Sequence, residues 1–208
     1  MQKKNLFTMV IVLIILFLAF GLIKSTSGRV QYSGGECANY RSFTGTHEVK
    51  LTENFPISAR PGMIVSVTGE NYTRLVDGEV SLSDTLPTVR LSEIPNDKRV
   101  MGVLVSTSSS LGPSHWYRSQ AKEKFAVVNA LGDGRLWVSN INGDVKVGDY
   151  ITTSVLPGFG QRQGDDLLHS YTVGKAVERV NWGAVTATTA YKGKSYKIHQ
   201  IAVVYTSG

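Results

Sequence analysis

The densest grouping of chemically able side chains in this 208-residue chain is Asp165-Asp166-Leu167-Leu168-His169-Ser170. Acid, base and nucleophile types all fall within that short run. Acyl transfer needs a serine hydrogen-bonded to a histidine that a third group orients in turn. Neighbouring side chains on an extended segment point to opposite faces, so adjacency in sequence does not assemble such a relay. The competing expectation is a loop whose aspartates bind its own backbone amides, with Leu167 and Leu168 tucked beneath. No catalytic residue is therefore assigned.

Other chemistry is sparse. His47, His115, His169 and His199 show no HxH or HxxxH spacing, and Asp77 and Asp84 do not fit a calcium loop. Gly132-Asp133-Gly134 and Gly158-Phe159-Gly160 lack the GK[ST] ending and following helix of a phosphate loop. No metal or cofactor is predicted. Cys37 is the only cysteine, which excludes an intrachain disulfide, a CxxC pair and a thiolate zinc cluster. It leaves a cross-link to a partner chain, a lipid acceptor or a plain free thiol. Asn71-Tyr72-Thr73 is a glycosylation sequon, which matters only in a secretory lumen. Among the aromatics Trp116, Tyr117, Trp137, Phe159 and Trp182, a carbohydrate or partner surface is one reading. Trp137 alternates with Leu136 and Val138 and reads as core. His115, Trp116, Tyr117 and Phe159 fall in loops and are the contact candidates.

The elements that would position these groups are strands. Residues 143–180 carry an alternating run at Val145-Lys146-Val147, a Gly148-Asp149 turn and a β-branched run from Tyr150 to Ser154. Pro157-Gly158-Phe159-Gly160 reverses the chain, and after a polar excursion it re-enters at residues 171–177. An earlier stretch repeats this grammar. Residues 60–67 read like 146–153, and residues 99–105 like 171–177, with a different spacing between the halves. A shared architecture is expected, and a tandem array is not.

Elsewhere, a strand is expected over 60–67, a turn at Gly69-Glu70-Asn71, a returning strand over 72–76 and a turn at Asp77-Gly78. Pro87 and Pro95 argue against a central strand in 81–95. Residues 99–106 are the most apolar run of the globular part and predict a central strand. A polar loop over 108–124 is followed by a strand over 125–131, a turn at 132–134, a strand over 135–139 and a hairpin turn at Asn142-Gly143. A last strand covers 197–205. No amphipathic helix of three turns is visible there. The fold class is all-β, a sandwich or barrel.

The N-terminus adds an anchor. Residues 6–23 form an uncharged run of 18 between Lys3-Lys4 and Lys24. At 1.5 Å rise it spans about 27 Å, near the bilayer hydrocarbon thickness. Leu6, Val10, Leu13, Phe17, Phe20 and Ile23 would face lipid. A cleaved signal peptide is the alternative, but its apolar region is normally about 7–15 residues. Lys3, Lys4 and the α-amino group give a small bias to a cytoplasmic N-terminus. The expected organisation is a single transmembrane helix within 1–24, a flexible Gly/Ser-rich stalk over 25–46 and a β domain over 47–208, with a two-part division into 47–107 and 125–208 left open. Setting aside Lys3, Lys4 and Lys24 leaves 19 basic against 16 acidic side chains, with no basic block. Nucleic acid is not an expected partner.

At 147–176 the string Val-Gly-Asp-Tyr-Ile-Thr-Thr-Ser, then Pro-Gly-Phe-Gly, then Asp-Asp-Leu-Leu-His, then Tyr-Thr-Val-Gly-Lys-Ala resembles a β-rich module of tailed-phage fibre and appendage proteins, and of virion proteins of large algal and other giant DNA viruses; its most specific part is 148–176. The resemblance covers about 55–180. In phages such modules stand beside a self-cleaving chaperone domain, and no cleavage residue is carried over here. The anchor is a departure from phage fibres and looks more like a minor capsid protein of a virus with an internal membrane. The resemblance implies a virion structural protein anchored in the viral inner membrane, in host membrane during assembly, with the lipid bilayer and capsid proteins as partners. The fibre analogy also implies a homo-oligomer. The alternatives are a membrane-tethered hydrolase or autoprotease using His169 and the neighbouring acids, and a receptor- or glycan-binding surface module.

Overall fold

The computed structural model describes residues 45–56, 58–76, 79–107 and 125–207. The apolar run 6–23, Cys37, the turn at 77–78, and His115, Trp116 and Tyr117 lie outside the described residues. Among the described residues no helix is long and apolar enough to cross a membrane. Their regular structure is all-β: β1 (Thr46–Leu51), β2 (Ile64–Val76), β3 (Glu79–Leu91), β4 (Val100–Thr107), β5 (Phe125–Asn129), β6 (Leu131–Ser139), β7 (Tyr150–Thr153), β8 (Gly160–Arg162), β9 (Thr172–Ala176), β10 (Thr188–Tyr191) and β11 (Lys194–Thr206), with one 3-10 turn at Asn140–Asn142.

The strands close twice. β1-β3-β2-β4-β5 form a barrel in which β5 pairs back on β1. β1 and β3 run parallel, with Leu51 opposite Val89. Period-two alternation carries Val49, Leu51, Val65, Val89, Leu91, Leu104, Ala126 and Val128 to one core. The second sheet runs β11-β6-β8-β7-β9, and a β11–β9 pairing closes it as well, with β10 attached outside on β11. Its core holds Leu136, Val138, Ile151, Val173, Ala176, Ile201, Val203 and Tyr205. Within the closed parts, closure removes the open edges that template uncontrolled strand addition, while the outer part of the β2–β3 pair, from Asn71 and up to Pro87, pairs only with itself among the described residues. Membership of the two barrels changes between Asn129 and Leu131.

The echo in the sequence is a correspondence in three dimensions. Ile64 faces Val103 and Val65 faces Gly102; Tyr150 faces Lys175 and Ile151 faces Gly174. Each pair then slips its register at the next residue, between Val65 and Ser66 and between Ile151 and Thr152. The backbone bonds also match. Gly62 N donates to Leu104 O, and Gly148 N to Ala176 O. Leu104 N returns a bond to Met63 O, and Ala176 N to Asp149 O. β6 runs parallel to β8 as β1 does to β3, and Val138 opposite Gly160 repeats Leu51 opposite Val89. Strands β1 to β5 thus correspond in order to β6, β7, β8, β9 and β11. Gly62 and Gly148 share φ values of 91° and 92°, a region where a side chain is strained.

The barrels interlock. Ile64 and Val103 of the first lie in the core of the second, while Leu156, Phe159 and Ile198 of the second lie in the core of the first. Gly158 donates to Ser92 O and accepts from Ile64 N, and Trp137 N donates to Gly62 O.

Several local expectations are corrected by these pairings. Gly69-Glu70-Asn71 is a register shift inside the single 13-residue strand β2, not a turn. Pro87 sits within β3, which has neighbours on both sides. It falls at that same irregularity opposite Asn71, and β1 joins β3 only at Thr88, so the missing N–H interrupts no regular ladder there. Gly132 to Gly134 lie in β6 and do not turn. A Cβ on Gly134 would meet Tyr205 Oη at 2.4 Å, so the glycine makes room for a packed tyrosine. Val145-Lys146-Val147 is not a strand; Val145 is buried and Val147 exposed. Asn142-Gly143 ends the 3-10 turn, since β6 pairs with β8 and not with β7.

Candidate functional site

The Asp165-to-Ser170 cluster resolves into a clipped loop between β8 and β9. Buried Gln163 begins it, its backbone N–H donating to Tyr150 O. Gln163 Nε2 lies within bonding distance of Asp165 O, Asp165 Oδ1 and Leu167 O, at 3.2, 2.9 and 2.6 Å. Asp165 Oδ1 accepts from the Leu167 amide at 3.0 Å, an Asx-type turn. His169 Nε2 approaches both Asp165 oxygens at 3.0 and 3.2 Å. The imidazole stacks on Tyr171 with centroids 4.5 Å apart. Thr172 Oγ1 closes the loop by accepting from His169 N and donating to Gln163 Oε1.

The Leu167 amide holds the Asp165 carboxyl below its ordinary range; desolvation works against it, and Gln163 and His169 reinforce it. The acid–imidazole pair is present, but among the described residues no hydroxyl, Ser170 included, bonds to the His169 ring. Asp166 is exposed and has no ion-pair partner among the described residues. The expected tucking of the leucines is overturned: Leu167 and Leu168 are 65% and 62% exposed. The polar groups hold the loop's shape, and the loop offers two leucines to its surroundings.

A second feature escaped the sequence reading. Beside β6 and β11 lies an open cleft of about 700 Å³, walled by the segment after β9. Arg135, Trp137, Arg179, Asn181, His199 and Gln200 supply its polar lining, and Ala184, Val185, Ala187 and Ile198 its apolar wall. The volume is in the range of ordinary ligand clefts. Arg135 Nη2 donates to Glu178 Oε1 at 2.9 Å and to Gln200 O at 3.0 Å. Arg179 is exposed and has no ion-pair partner among the described residues. Trp137 is fixed by its Nε1–H bond to Pro61 O, by the Arg60 guanidinium 3.9 Å from its ring and by the edge of Phe159. The lining is scattered over 66 positions of chain, from 135 to 200, and only the barrel closure brings it together. The one local signal was the same-face spacing of Arg135 and Trp137 on β6.

The other named residues are dispersed. Phe159, expected as a loop contact, is 6% exposed and packs in the core, because Gly158 and Gly160 draw the backbone against the first barrel. Trp182 is buried too, its carbonyl accepting from Lys197 Nζ. His47 is on β1, His199 on β11 and His169 in the loop, three separate places. Comparison of the chain with known protein families, curated proteins and solved structures yields no match.

Proposed function

We propose that the protein is a non-enzymatic structural component of a virus particle, a minor capsid protein that ties an internal membrane to the capsid shell. The apolar run 6–23 is the membrane anchor, the residues between it and β1 are the stalk, and the double barrel is the part that engages capsid protein. The observation that carries this reading is the use made of Asp165 and His169. Their hydrogen bonds maintain a loop that presents leucines, an arrangement suited to a contact, and among the described residues no hydroxyl is bonded to the imidazole. The layout of an uncharged run ahead of a double β unit, and the resemblance at 148–176, support the same assignment.

The test is stepwise detergent treatment of purified particles, following this chain by immunoblot. Retention on the capsid shell after lipid is stripped is expected. Release with the lipid fraction, or absence from particles, would sink the assignment. The hydrolase alternative makes a separate prediction, loss of processing or activity in a His169→Ala, Asp166→Ala double variant.

A further inference from the structure

The loop and the cleft have complementary chemistry. The loop carries the exposed Asp166 followed by exposed Leu167 and Leu168. The cleft carries Arg179, which has no ion-pair partner among the described residues, beside an apolar wall of Ala184, Val185, Ala187 and Ile198; His199 and the Glu178-paired Arg135 also line it. They lie beyond opposite ends of β9, a five-residue strand roughly 16 Å long. The loop precedes Thr172 and the cleft wall follows Ala176, so the loop is directed away from the cleft of its own barrel.

The internal correspondence adds a second, independent argument. The β3–β4 loop of the first barrel occupies the position of the β8–β9 loop in the second, and Val100 N→Asp97 O repeats Thr172 N→His169 O. That first loop is docked. Asp97 N donates to Thr153 Oγ1, which in turn donates to Ile94 O, and Asn96 N donates to Thr153 O. It binds the neighbouring barrel. The equivalent loop of the second barrel makes no such contact within the described residues and exposes its leucines.

We infer that this loop docks into the cleft between Arg135, Trp137 and Arg179 on a second copy of the chain. Asp166 meets Arg179, and Leu167 and Leu168 cover the apolar wall. Each copy carries one loop and one cleft, so the contact either closes reciprocally in a two-fold dimer or repeats head to tail into a ring or a filament. The pre-formed hydrogen bonds of Gln163, Asp165 and His169 reduce the ordering cost of docking.

The test is sedimentation velocity on the full chain in nonionic detergent across a wide concentration range. The unmodified chain is expected to self-associate. Asp166→Arg and Arg179→Asp alone should each raise the concentration needed by at least about tenfold, and the two together in one chain should restore it. Mixing a loop-deficient Leu167→Ser, Leu168→Ser chain with a separate Arg179→Asp chain should give dimers and nothing larger, because each pair retains one intact loop and one intact cleft. Exposed positions were chosen so that the barrels stay folded, which amide spectra of each variant would verify. A chain that stays monomeric at every concentration, association indifferent to these substitutions, or a mixture with no dimer would each overturn the inference. Loop-dependent binding to a different protein by a chain that never self-associates would also overturn it, in favour of that partner.

Discussion

The two barrels share strand order, a parallel first pair, register, register slip and terminal hydrogen bonds, yet their surfaces are used differently. In the first, Ile64 is fully buried because the second barrel accepts it. In the second, the corresponding Tyr150 is half-exposed, with Lys175 Nζ 5.6 Å from its ring. The first barrel's β3–β4 loop is bonded across to Thr153 of the second barrel, while the second barrel's β8–β9 loop is held within its own barrel, by its own side chains and by Thr152 Oγ1, which donates to Tyr171 O. The same backbone solution thus serves once to join barrels within the chain and once to offer a surface. What differs is a handful of side chains at corresponding positions, and the comparison can be broken or sharpened there.

The largest expected effect is at the joint. Ile64→Ala should cost about 4 kcal/mol, because it opens a cavity in the second barrel's core. Tyr150→Ala, its counterpart, should cost about 1 kcal/mol. Urea unfolding of both variants measures the gap, and equal costs would mean that the joint contributes nothing special. Next come the paired glycines. A Cβ on Gly102 would lie 2.3 Å from Asn129 O at a φ of 145°, whereas one on Gly174 would lie 2.7 Å from Val204 O. Gly102→Ala is expected to cost about 3 kcal/mol and Gly174→Ala about 2 kcal/mol. The reverse order in thermal unfolding would contradict this assignment of strain.

A smaller loss is expected at Asp97. Its side chain is 4% exposed and accepts from Arg99 N, Nε and Nη2. Burial pushes its carboxyl up, and the Arg99 bonds and charge outweigh that and hold it below the ordinary range. Since Arg99 is 39% exposed, Asp97→Asn should cost only about 1–2 kcal/mol. A loss concentrated in the Thr153 contacts would appear as faster amide exchange at Asn96 and Asp97.

The smallest effect is a pH dependence. Asp97 and Asp165 are both depressed in the folded chain. The stabilisation each contributes is therefore present above the unfolded carboxylate pKa of about 3.9 and lost as pH falls through the lower folded value. Protection of the Leu167 amide should fade in that acid window and the loop should loosen, while the buried barrel strands keep theirs. A Leu167 amide whose exchange shows no acid-induced opening would remove Asp165 as the clip.

The all-β character was legible in the alternation of residues 60–67, 99–106, 150–154 and 171–177, and so was the kinship between the two halves. Those signals are local: side-chain period and Gly-bounded runs. The turn at 132–134 was misread because a glycine that makes room for Tyr205 has the same letter as one that turns a chain. Phe159 was misplaced because a loop in sequence can be a core element when another barrel covers it. The cluster at 165–170 could be located in the sequence, but whether it was a relay or a clip depended on where Gln163 and Thr172 sat.

By itself the sequence determined the strand-rich composition, the repeated Gly-x-hydrophobic grammar, the uncharged run at 6–23 and the lack of a Lys/Arg block along the chain, because these depend on residue type and short-range spacing. Only the tertiary structure decided that the strands close into two corresponding barrels, that Ile64 and Phe159 cross between them, that Leu167 and Leu168 stand out into solvent and that Arg135, Arg179 and Gln200 meet in one cleft. Those outcomes rest on pairings between residues tens of positions apart. Such pairings are set by which closure buries the most apolar surface while satisfying every backbone group, a condition on the whole chain that no local window contains.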